Sequence, residues 1–119
     1  MTQGNPDPAA LEALASEIRD LQQLVTLLLK GLSRAKTWQR QLAAHMTDVD
    51  RQLQVLRLTV TLERRDAEIF QAADDLLATC RLAAAALGGT RADPTTRTAV
   101  QMVVDLAARI CSSLDRLRR

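Results

Sequence analysis

The chain has 119 residues, of which 47% are hydrophobic, 25% charged and only 2% aromatic, and its formal net charge is +2. This length predicts one domain, and so small a net charge does not by itself imply a polyanionic partner. The two aromatic residues, Trp38 and Phe70, offer little for an aromatic-lined ligand pocket or for stacking on nucleotide bases.

The first seven residues, 1–7, are polar and predict a flexible lead-in without the features of a signal peptide. The longest apolar run, 27–29, is far too short to cross a bilayer. We therefore expect a soluble, cytoplasmic protein with no membrane partner and a single helical domain over 8–119. In that compartment Cys80 and Cys111 are expected to be reduced thiols.

The first helix is predicted over 8–30. Asp7 can cap the free amides of its first turn, and Pro8 suits the first helical position because proline lacks the N–H that would be unpaired there. Gly31 is the best candidate for the end of this helix, and Ser33 is the candidate cap of the next one, which places a turn between them.

One heptad phase runs from residue 11 to residue 60, and we call these positions the N-terminal stripe. Fourteen of its fifteen residues are apolar: Leu11, Leu14, Ile18, Leu21, Val25, Leu28, Leu32, Ala35, Gln39, Leu42, Met46, Val49, Leu53, Leu56 and Val60. Spacing of 3.5 residues is typical of helices packed side by side as in coiled coils. Gln39 is the polar exception, and a polar residue in such a stripe can fix register and partner number.

The segment 33–87 has no proline or glycine, so its division is open. It is predicted either as one long helix or as two helices broken near 47–50 or near 63–66. Gly88 and Gly89 stop it, as glycine does at a left-handed C-terminal position. The pair Asp93-Pro94 then starts a last helix over 94–118.

Two further stripes follow the first. The third quarter of the chain carries Leu62, Ile69, Ala73, Leu76, Cys80, Ala83 and Leu87, and the last helix carries Val100, Val103, Ala107, Ile110, Leu114 and Leu117. The fold class is therefore all-α, an antiparallel helical bundle with coiled-coil-like packing of three to four long helices. If the middle segment is continuous, a second copy must cover its apolar surface, so we expect self-association, most simply as a two-fold dimer.

Residues 21–47 contain no acid but several cations. On a heptad wheel Lys30, Arg34, Lys36 and Arg40 point outward with Trp38 among them, which predicts an interaction face. Such a face suits an acidic protein partner or the phosphates of nucleic acid.

No catalytic, cofactor-binding or metal-binding set is visible in the sequence. The only histidine, His45, follows Arg40 at a spacing that small helical-bundle ribonucleases also use, which leaves a nuclease as a remote alternative. The leading hypothesis is a non-enzymatic protein–protein interaction module that acts through the stripe and self-association. The alternative is a nucleic-acid-associated accessory protein that uses the basic face.

Overall fold

A computed structural model describes residues 8–61 and 67–118 of the chain. These residues form four α-helices: α1 (Pro8–Gly31), α2 (Thr37–Thr61), α3 (Ala67–Leu87) and α4 (Pro94–Arg118). No strand occurs among them, so the all-α prediction is confirmed.

The helices form a closed up-and-down bundle of 57 × 21 × 21 Å. Each helix packs against the one before and after it, and α4 returns to pack against α1. The antiparallel direction is visible where Ser113, near the end of α4, hydrogen-bonds Glu17, near the beginning of α1. Because α2 and α3 pack against each other within one chain, the alternative of one continuous middle helix is wrong.

The core is built from the stripes that face the bundle axis, because amphipathic helices bury their apolar sides against one another. The buried residues of the N-terminal stripe are Leu14, Ile18, Leu21, Val25, Leu42, Met46, Val49, Leu53 and Leu56. The buried residues of the later stripes are Ile69, Ala73, Leu76, Cys80, Ala83, Leu87, Val100, Val103, Ala107, Ile110 and Leu114. Leu28 is half-buried against this core. One chain thus encloses its own stripes.

The candidate break at 47–50 is wrong, because these residues lie in the middle of α2. The Thr47 hydroxyl donates to the Ala43 carbonyl one turn earlier, at 2.9 Å, and so follows the helix instead of capping a new one. The other candidate, 63–66, lies outside the described residues. On either side of it α2 ends at Thr61 and α3 begins at Ala67.

The second helix begins at Thr37, four residues later than the predicted start at Ser33. Ser33 instead accepts a hydrogen bond from the Ala35 amide, which stabilises a local turn. Gln39 lies in the first turn of α2, where its side-chain carbonyl accepts a hydrogen bond from the Lys36 amide at 2.8 Å. This is the backward half of a capping box. The N-terminal stripe is therefore two stripes separated by a turn, and in this chain Gln39 caps a helix.

The turn between α3 and α4 also differs from the prediction, which was that glycine in a left-handed conformation ends α3. The backbone φ angles of Gly88 and Gly89 lie outside the left-handed region. The chain leaves α3 through short bonds from the Gly88 amide to the Ala85 carbonyl and from the Thr90 amide to the Leu87 carbonyl, both 3.1 Å. These are three-residue spacings, typical of a 3₁₀ turn at a helix end.

The hydrogen bond between Ser113 and Glu17 ties α4 to α1, and Ser113 is 2% exposed. Because hydrogen bonds to charged groups contribute more than neutral ones, we expect Ser113→Ala to lower the free energy of unfolding by about 1–3 kcal/mol. Urea denaturation monitored by circular dichroism measures the change. The matched control is Ser112→Ala on the exposed side of the same helix, with an expected change within about 0.5 kcal/mol. Equal losses for both variants would contradict this role for Ser113.

Asp93 caps α4 by accepting hydrogen bonds from the Thr96 amide (3.1 Å) and hydroxyl (2.7 Å). These bonds hold the pKa of the Asp93 carboxyl below its ordinary value of 3.8. A lowered pKa in the folded state means that the ionised cap stabilises the protein above pH 3.8, and that this stabilisation is lost as the pH falls through the folded-state pKa. The melting temperature of the wild type should therefore fall as the pH is lowered below 3.8. We expect this fall to be smaller in Asp93→Asn, which has no carboxylate to protonate at this position. If the melting temperature of the variant depends on pH as strongly as that of the wild type, other carboxylates cause the fall.

Candidate interaction surfaces

The predicted basic set lies around the turn between α1 and α2, at one end of the bundle. Lys30 is in the last turn of α1, Arg34 and Lys36 lie in the turn itself, and Trp38 and Arg40 lie in the first turn of α2. The sequence-based expectation was an outward helix face on the heptad wheel. The structure brings these residues together around a connection between two helices, because α2 begins only at Thr37.

The two arginines of this set stabilise the turn through hydrogen bonds to its carbonyls. Arg34 donates through Nη1 to the carbonyls of Leu32 and Leu29. Arg40 donates through Nη1 to the carbonyls of Arg34 (2.9 Å) and Ala35 (3.1 Å). The guanidinium groups are therefore fixed in position while keeping further N–H donors for other acceptors.

An arginine also stabilises the turn between α3 and α4 through hydrogen bonds to backbone carbonyls. Arg97, like Arg40, is the fourth residue of its helix. Its Nε donates to the Ala92 carbonyl at 3.0 Å, and its Nη2 donates to the Thr90 carbonyl at 2.6 Å. Arg91 lies exposed in this turn. In an up-and-down bundle both turns are at the same end, so Arg91 and Arg97 join the predicted cations. Sequence reasoning missed them because the acid-free stretch 21–47 drew attention to the first half alone.

Trp38 is half-buried and packs against the core at this end of the bundle. Its indole Nε1 is buried without a hydrogen-bond acceptor in the described part of the chain. The ring therefore contributes to the packing beneath the turn.

Arg40 and His45 both lie in α2. They are five residues apart in one continuous helix, which separates them by about 140° around its axis. Arg40 is exposed and bonded to the preceding turn, whereas His45 is half-buried. The Arg40 guanidinium therefore binds carbonyls of the turn, and the ribonuclease alternative stays a prediction.

The two cysteines are free thiols on adjacent helices. Burial is the main cause that raises the pKa of Cys80, to about 12, and the neighbouring Cys111 raises it further. Burial also raises the pKa of Cys111, whose Sγ lies 3.4 Å from the Ala73 carbonyl. Both groups stay protonated at neutral pH, and a thiol is a poor nucleophile compared with its thiolate.

Residues 8–61 and 67–118 contain no group of three or more histidine, cysteine or carboxylate side chains placed to hold a metal ion. In the same residues no helix has the length and apolar character needed to span a bilayer.

Two shallow grooves run along the sides of the bundle. One lies between α2 and α3, with Val55, Ala67 and Ala72 among its lining residues and Gln52, Glu68, Gln71 and Asp75 as its polar ones. The other lies between α1 and α2 and is lined by Arg19, Gln22, Gln23, Thr26, Leu27 and Arg57. The Arg57 guanidinium crosses the second groove to donate to the Gln22 side chain at 2.9 Å. Both grooves are open, so they suit contact with a flat partner surface better than enclosure of a small ligand.

Several large aliphatic side chains remain on the outside of the bundle. Their exposed fractions are 66% for Leu27, 54% for Val55, 63% for Leu58, 62% for Leu82 and 50% for Met102. Val55 and Leu58 are one turn apart on α2, so they share one side of that helix.

Comparisons of the chain with protein-family models, with curated proteins and with solved structures found no match.

Proposed function

We propose that the protein is a non-enzymatic helical interaction module, that is, an adaptor, scaffold or regulatory subunit that self-associates and binds another protein. The observation that carries this proposal is the set of exposed aliphatic side chains outside a core that one chain has already closed. Among these side chains Val55 and Leu58 share one side of α2, and exposed apolar side chains that lie together in this way are typical of protein–protein contact.

The contact surface in this proposal differs from the N-terminal stripe of the sequence hypothesis. The stripe residues from Leu14 to Leu56 pack within one chain. A partner therefore meets the outer faces of the helices, where exposed aliphatic groups can lose their contact with water only by association.

The proposed dimer contact is the outer side of α2 around Val55 and Leu58. Val55 lines the groove between α2 and α3, where Ala67 and Ala72 extend the apolar surface. A two-fold axis through this region would place the same patch of two copies face to face, which is the commonest arrangement of homodimers.

Leu58→Glu is expected to convert the dimer to a monomer, because it puts two carboxylates into an apolar contact that would be desolvated on association. Sedimentation velocity at matched concentrations measures the change. The matched control is Leu82→Glu on α3, since the two leucines are 63% and 62% exposed. Both variants should retain the helical circular dichroism signal of the wild type.

Two results would contradict the proposed dimer. One is a monomeric wild-type protein across the concentration range. The other is a dimer that Leu58→Glu leaves intact.

A second candidate function is that of a nucleic-acid-associated accessory protein using Lys30, Arg34, Lys36 and Arg40 on the phosphate backbone. It is favoured by the concentration of cations around one turn. A gel-shift titration with duplex DNA is expected to give a complex at low salt that weakens at moderate salt, because binding to phosphates releases counterions. Absence of a complex at low salt would dismiss this candidate.

The proposal includes a cytoplasmic location. The two free thiols are compatible with a reducing compartment.

A further inference from the structure

Positive charge is concentrated at one end of the bundle. We define the basic end as residues 29–40 and 88–97, which form the two turns and the first turns of α2 and α4. It contains six cations, Lys30, Arg34, Lys36, Arg40, Arg91 and Arg97, and one acid, Asp93. The rest of the chain has ten cations and thirteen acids. The basic end therefore has a net charge of +5, whereas the rest of the chain has a net charge of −3.

The only acid of the basic end is already occupied, because Asp93 accepts two hydrogen bonds from Thr96. The bundle is 21 Å wide, so all six cations lie within a small area. At physiological ionic strength charges are screened over about 8 Å, so neighbouring cations in this area reinforce one another. The basic end thus attracts anionic groups even though the whole chain is nearly neutral.

The cations of the basic end fall into two groups with different roles. Arg34, Arg40 and Arg97 donate to carbonyls of the turns and are held in place. Lys30, Lys36 and Arg91 are exposed, and their side chains make no hydrogen bond or ion pair with the described residues. The first group therefore gives a fixed array of charge, and the second can be changed without removing a bond that stabilises a turn.

Exposed apolar side chains lie beside the basic end. Leu27 precedes Lys30 by one turn of α1, so the two share a side of that helix. Glu17 pairs with Ser113 across the antiparallel helices α1 and α4. Leu27 is ten residues after Glu17 and Met102 is eleven residues before Ser113, which puts Leu27 and Met102 at the same height. Their exposed fractions are 66% and 50%.

We propose that the basic end, together with Leu27 and Met102, docks an acidic amphipathic segment of a protein partner. Carboxylates of the segment would bind the cations, and its apolar side chains would cover Leu27 and Met102. This combination favours protein over nucleic acid, because a phosphate backbone offers nothing that gains from covering aliphatic groups. The inference rests on the proposed interaction function and names the chemistry of the partner.

The test is calorimetric titration of the full chain with a synthetic peptide that repeats glutamate with leucine at three- and four-residue spacing. Emission of Trp38, the only tryptophan, reports whether binding occurs near the basic end. The variant Lys30→Glu/Lys36→Glu/Arg91→Glu is expected to bind at least about ten-fold more weakly, because like charges then face the peptide. The affinity of the wild type should also fall as salt is added.

The matched control is Arg19→Glu/Arg51→Glu/Arg109→Glu, which changes net charge equally at exposed positions outside the basic end. It should keep its affinity within about two-fold, because those charges are remote from the docked peptide. The apolar part is tested by Leu27→Gln/Met102→Gln, which should weaken peptide binding and leave any binding of duplex DNA unchanged. Circular dichroism verifies that each variant keeps its fold.

Three results would overturn the proposal. They are no peptide binding by the wild type, equal losses in the two triple variants, and duplex DNA binding tighter than the peptide without an effect of Leu27→Gln/Met102→Gln. Sedimentation of the same samples separates this failure from that of the proposed function. A wild type that dimerises but ignores the peptide contradicts only the docking site, whereas one that does neither contradicts both.

Discussion

Burial of four apolar stripes in one closed core is the constraint on which the rest of this structure depends. In proteins most of the stability of a helix comes from packing of its apolar side rather than from intrinsic helix propensity. Small residues such as Ala73, Ala83 and Ala107 alternate with large ones in α3 and α4. Alternation of small and large side chains allows facing layers of a core to interdigitate. Since one chain supplies all four stripes, its turns and outer faces are left for other tasks.

The helices and their buried sides were predictable because both signals are local. Periodicity identified the buried residues, and Pro8 and the pair Asp93-Pro94 identified two helix starts that the structure confirms. The turn before α2 was harder, because Leu28 and Leu42 are separated by two heptads and so keep one phase across the turn. Phase is a property of spacing along the chain, and it does not report whether the intervening backbone is helical.

The basic end was predictable only in part. Lys30, Arg34, Lys36 and Arg40 are neighbours in sequence, so their shared lack of acids was visible at once. Arg91 and Arg97 are more than fifty residues away, and only the up-and-down topology brings them to the same end. The hydrogen bonds of Arg40 and Arg97 to turn carbonyls depend on where each helix starts. A sequence pattern therefore cannot separate cations that hold a turn from cations that are free to bind.

The two proposed contacts occupy different parts of the bundle. Val55 and Leu58 lie in the half of α2 that is remote from the basic end, whereas Leu27 and Met102 lie beside that end on other helices. Occupation of one surface therefore leaves the other exposed, and a dimer formed through α2 would present two basic ends. A partner with two acidic segments would then gain affinity from the second contact without any new type of interaction, because that contact is intramolecular. Closure of the core within each chain is what makes this possible, since self-association is then not required for folding.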